Sequence, residues 1–75
     1  MNVSIIEELI TNSNSFTIHL CGHTNPITID VSRSKPVVNR KRKSLEFEIP
    51  DGMYLRRKFI VDIDSVTHVD MYQYT

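Results

Sequence analysis

The chain is expected to be mainly β with a short N-terminal helix, folded as a small five-stranded antiparallel barrel or strongly curved sheet. Three observations predict this. Apolar residues follow a helical period only between Ser4 and Asn12, they alternate with polar residues from Phe16 onward, and turn residues interrupt the alternation at short intervals. The 75 residues are read as a single domain, 1–75, because so short a chain buries only about 60–65% of its unfolded surface and has none to spare for a second core.

Ser4-Ile5-Ile6-Glu7 fits a capping box, in which serine oxygen and glutamate satisfy each other's orphan backbone donors at a helix start. Ile5, Ile6, Leu9 and Ile10 then form one apolar stripe, expected to pack across the sheet. The run Thr11 to Ser15 ends the helix, since its side chains compete for backbone hydrogen bonds and favour turns.

Phe16, Ile18 and Leu20 alternate with Thr17, His19 and Cys21, and Ile27, Ile29 and Val31 alternate with Thr28, Asp30 and Ser32. Both segments read as half-buried antiparallel strands, joined by a hairpin connection at Gly22 to Pro26. A third strand places Leu45, Phe47 and Ile49 inward and Glu46 and Glu48 outward. Pro50-Asp51-Gly52 predicts a three-residue hairpin loop, with glycine in the left-handed position. That loop sets Ile49 opposite Met53, Phe47 opposite Leu55 and Glu46 opposite Arg56; a two-residue loop would set Phe47 against Arg56. The fourth strand continues through Phe59, Val61 and Ile63, where Arg57 breaks the parity and predicts a bulge, bend or edge. The spacing of Ile63 and Val66 predicts a tight helical turn at Asp64-Ser65 before a last strand with Val69 and Met71 inward.

A helix followed by five short, bent strands is similar in element order to the Sm-like barrels and is compatible with SH3-like barrels. The glycine and the Asn or Asp that mark the Sm motif are not found at their spacings, so the likeness is one of element order alone.

A single cysteine forms no intrachain disulfide, which points to a reducing compartment and a cytoplasmic protein. Met1 to Asn12 holds no basic residue of the kind that opens a secretory signal, and no apolar run approaches the roughly 20 residues of a membrane span. No membrane association is therefore expected.

His19-Leu20-Cys21-Gly22-His23 is the stretch most suggestive of chemistry. As a strand end it directs His19 and Cys21 outward on one face, with His23 beyond Gly22. A structural zinc site needs four ligands, and the only further nitrogen or sulfur candidate is the distant His68. The stretch is read as a strand end, with no metal. Cys21 has no cation close in sequence to activate it, Glu46 and Glu48 alternate on a solvent face, and two glycines supply no phosphate-binding loop. No catalytic residue and no cofactor are expected, and the chain is read as a non-enzymatic binding module.

Net charge is zero, yet all nine lysines and arginines lie between Arg33 and Lys58. Only Glu46, Glu48 and Asp51 oppose them, leaving that window six positive and each flank three negative. Arg33, Lys35, Arg40, Lys41, Arg42 and Lys43 lie between the second and third strands, where a loop or projecting hairpin can touch phosphates. Tyr54, Arg56 and Lys58 fall on one outward strand face, a ring beside two charges. The expected partner is RNA or single-stranded DNA. The alternative is an acidic patch on a larger protein, a nucleic-acid-processing one among the candidates, with this chain as a small inhibitor or accessory subunit. Self-association into a homo-oligomer is expected of so small a core.

Overall fold

In the computed structural model, which describes residues 1–71, an asparagine starts the first helix. The Asn2 side chain accepts from the Ser4 backbone N–H at 2.9 Å, so α1 spans Val3–Asn12 and Ser4 lies inside it. The expected serine–glutamate box is displaced by this earlier cap, which leaves Glu7 for another partner. Ile6 and Leu9 are buried with Val3 and Ile10 beside them, whereas Ile5 stands one residue round the helix and is exposed.

Six strands follow among the described residues, one more than expected: β1 Ser15–Leu20, β2 Ile27–Asp30, β3 Val37–Asn39, β4 Ser44–Pro50, β5 Arg56–Asp62 and β6 Val66–Asp70. They form two antiparallel sheets of three strands, ordered β2-β1-β6 and β3-β4-β5, and no closed barrel is found among the described residues. The second strand stops at Asp30 because its carboxylate accepts from the Ser32 and Arg33 N–H groups and turns Val31–Ser34 into a short helix, α2. The additional strand is β3, three residues long and too short to show a period.

The hairpin of β1 and β2 forms as expected, pairing Phe16 with Ile29 and Ile18 with Ile27. The hairpin of β4 and β5 forms in a different register: Phe47 pairs with Phe59, Leu45 with Val61 and Ile49 with Arg57, across the five-residue loop 51–55. The shift is four residues, so parity is preserved: apolar still meets apolar at Phe47–Phe59 and Leu45–Val61, while Ile49 now meets Arg57. What favours the longer loop is the aromatic pair, Phe47 stacked on Phe59 at 5.3 Å, together with the Asp51 N–H bond to the Leu55 carbonyl at 2.8 Å. Gly52 takes the left-handed conformation expected of it, at φ 86°.

Arg57 sits on an edge strand, one of the three outcomes its parity predicted. The 3₁₀ turn Ile63–Ser65 carries the chain from β5 to β6 and hence from one sheet to the other. Two backbone bonds hold this corner, Ile63 N–H to Lys43 O at 2.9 Å and Cys21 N–H to Ser65 O at 2.8 Å. Val69 pairs with Ile18 and packs at the core margin, but Met71 lies past the strand and is exposed rather than inward. The buried cluster draws on every layer: Ile6 and Leu9 from the helix, Phe16, Ile18, Ile29 and Val66 from one sheet, Leu45 and Phe47 from the other, and Ile63 from the corner.

Candidate nucleic-acid interface

The nine cations all fall on α2, the strands β3 to β5 and their connections. Seven of them divide between the two ends of β4, and the other two, Arg33 and Lys35, lie on α2 and at its C-terminal end. Arg40 to Lys43 form the turn before β4, Arg56 to Lys58 open β5 after the 51–55 loop, and the seven residues of β4 span about 23 Å.

The turn from β3 to β4 is pre-shaped by Asn39, whose side-chain oxygen accepts from the Arg42 N–H at 3.1 Å. Lys41, Arg42 and Lys43 are exposed on it, and Lys43 holds φ 52° in the left-handed region. Arg40 behaves differently. Its guanidinium grips both oxygens of Glu7, with Nε at 3.0 Å from Oε2, and this hydrogen-bonded pairing raises its already high pKa further. Arg40 is thereby committed to fastening the helix to the turn.

On α2, the Asp30 carboxylate accepts from the Ser32 hydroxyl at 2.8 Å as well as from backbone N–H groups, and these bonds hold its pKa below the ordinary carboxylate range. Arg33 projects from this helix. Lys35 ends it at φ 46°, again left-handed, and leads through buried Pro36 into β3. Lys35 borders a shallow groove with Val37, Glu46, Glu48 and Lys58 on the outer side of the sheet.

On that outer face Arg56 pairs with Glu48 at 3.3 Å and Lys58 with Glu46 at 3.2 Å. The expected pairing of Arg56 with Glu46 is replaced because the register moved. Tyr54 is not on a strand face beside them. It lies in the 51–55 loop, between Met53 and Leu55, and the three are 90%, 86% and 70% exposed in that order. The sequence reading missed this apolar tip because it treated Met53 and Leu55 as core partners of Ile49 and Phe47.

It also missed Arg57 as a site residue. Arg57 shares the core-facing parity of Phe59, but at the far end of the hairpin the core has run out, so the side chain is exposed with its guanidinium carbon 5.4 Å from the Phe59 ring centre. The signal available in the sequence was a charged residue at a core-parity position next to a turn.

The His19 to His23 stretch is divided by the structure. A register shift between His19 and Leu20 puts a bulge in the β1–β6 pairing, so His19 faces His68 and Asp70, whereas exposed Cys21 and His23 border a different groove with Ile60 and Asp62.

No helix among the described residues is long and apolar enough to cross a membrane. Comparison with protein families, with characterised proteins and with solved structures finds no match to this chain.

Proposed function

We propose that the protein binds single-stranded nucleic acid, RNA or single-stranded DNA, through β3-β4-β5 and its connections. One observation carries this reading. After Glu7, Glu46 and Glu48 have taken Arg40, Lys58 and Arg56, six cations remain with no carboxylate in ion-pair reach among the described residues. These are Arg33, Lys35, Lys41, Arg42, Lys43 and Arg57. Uncompensated cations on α2, on the β3–β4 turn and at the start of β5 are what binds a phosphate backbone by releasing its counterions. Lys35 and Lys43 also occupy left-handed positions that glycine or asparagine would fill at lower backbone cost, so charge is kept there against a local penalty. The exposed Tyr54 ring, next but one to Arg56 in the chain, supplies a surface on which a base stacks. Binding of this kind calls for no cofactor and no catalytic group.

A second reading, docking on an acidic patch of a protein partner, is supported by the Met53-Tyr54-Leu55 tip. Methionine, tyrosine and arginine are enriched in protein interfaces, and three consecutive exposed apolar side chains exceed what base stacking requires. The unpaired side of β5 also suits self-association by strand addition.

Fluorescence polarisation of a labelled random oligonucleotide, RNA or single-stranded DNA, read across a salt series, separates these readings. The expected result is affinity that falls with salt at a slope of about 0.7 per phosphate contact. Absence of salt-sensitive binding near physiological ionic strength would overturn the nucleic-acid reading and leave the protein-docking one.

A further inference from the structure

We propose that His19, His68 and Asp70 form a binding site for a divalent transition-metal ion of the zinc type, on the sheet opposite the basic one. The antiparallel register of β1 and β6 brings the three together. His19 pairs directly with His68, Asp70 follows two residues along the same strand and so shares its face, and one ligand atom from each residue lies within 4.8 Å of the others. The imidazole rings stack at 3.9 Å and 15°, and His19 Nε2 sits 2.6 Å from Asp70 Oδ2.

Two imidazoles and a carboxylate are a donor set that suits zinc, with bonds of about 2.0–2.1 Å, which places tetrahedral ligand atoms about 3.3 Å apart. The His19–Asp70 contact opens by about 0.7 Å to admit an ion in place of the hydrogen bond. The exposed His68 ring turns out of its stack to converge on the same point.

The neighbouring threonine favours this. Thr67 Oγ1 donates its one proton to the His19 carbonyl at 3.1 Å, so at 3.2 Å from His68 Nδ1 it acts as an acceptor. In the tautomer that bonds to this oxygen the proton lies on Nδ1 and Nε2 presents a lone pair, the arrangement in which an outer partner orients a ligating histidine. The open groove bordered by Thr17, Pro26 and Thr28 leaves the remaining coordination position to water.

A structural zinc site takes four protein ligands; these residues offer three and an open position instead. Cys21 and His23 take no part. The ion would link the first strand to the last across 51 residues of chain, between His19 and Asp70, and so would stabilise the fold.

The test titrates the intact protein with Zn²⁺ by calorimetry, with Co²⁺ absorption as a spectroscopic readout, on wild type, His68→Ala, Asp70→Asn and Cys21→Ser. Circular dichroism confirms that each variant is folded. The expected result is one equivalent bound, a Tm rise of about 10 °C or more at a hundredfold excess over Kd, affinity at least about tenfold weaker in His68→Ala and Asp70→Asn, and no change in Cys21→Ser. Absence of binding, binding that survives both ligand substitutions, or binding lost in Cys21→Ser would each overturn the proposal.

Discussion

The strands of β2-β1-β6 carry no lysine or arginine, whereas β3-β4-β5 with its connections holds all nine, together with the short helix α2. The sheets are assembled from different parts of the chain. Strands β3, β4 and β5 are consecutive and pair with their neighbours, so a continuous basic window in the sequence becomes one basic sheet. The other sheet joins the two ends of the described chain, β1 with β6, and so gathers His19, His68 and Asp70 from positions with no local relation. A neutral net charge thus conceals two surfaces of different chemistry, separated by the shared core.

The largest expected effect tests whether that core holds both sheets. Phe47 is 1% exposed and stacks on Phe59, so Phe47→Ala should cost about 3–5 kcal/mol in urea denaturation. Because residues from both sheets and α1 meet in one cluster, probes placed on each sheet should report a single coincident transition. Two separate transitions would mean that the sheets are independent units and that the comparison is between domains.

Next in size, replacing Lys41, Arg42 and Lys43 together with alanine should lower oligonucleotide affinity for all sequences alike and reduce the salt slope by about 0.7 per lost phosphate contact. Zinc binding at the opposite sheet should be untouched, and a joint loss would show the two surfaces to be coupled. Tyr54→Ala is expected to weaken single-strand binding by about 1–3 kcal/mol with little change in salt slope, which separates stacking from charge at the two ends of β4.

The smallest effect concerns the entry to the basic sheet. The Asp30 carboxylate is held below its ordinary pKa by the Ser32 hydroxyl and the α2 N–H groups, so its folded value lies below its unfolded one. Its contribution is fully present above an unfolded pKa of about 3.9 and is lost as pH falls through the lower folded value. The stability difference between wild type and Asp30→Asn, followed by thermal melts, should therefore be constant near neutrality and shrink progressively in acid.

Period and polarity alone were enough for the helix, for the β1–β2 hairpin, for the alternation in β4 and for the 3₁₀ turn, because each rests on contacts close in sequence. The β4–β5 register was not legible, since shifts of an even number of residues keep the same faces inward and the Phe47–Phe59 stack and the Asp51–Leu55 loop bond distinguish them. Of the predicted binding residues, Arg40, Arg56 and Lys58 turned out to be paired with glutamates, Arg40 with one 33 residues away. Arg57 took a place that parity alone had assigned to the core.

What the sequence by itself determined is the mainly β character, the opening helix and the gathering of every cation into one window, since these depend on side-chain period and on the order of residues. Tertiary structure decided which cations stay unpaired, how far the tip at Met53 to Leu55 projects, and that His19 meets His68 and Asp70. The physical reason is that an ion pair or a ligand cluster depends on distances of a few ångströms between residues far apart in the chain. Those distances are set only when strands from both ends settle against a common core.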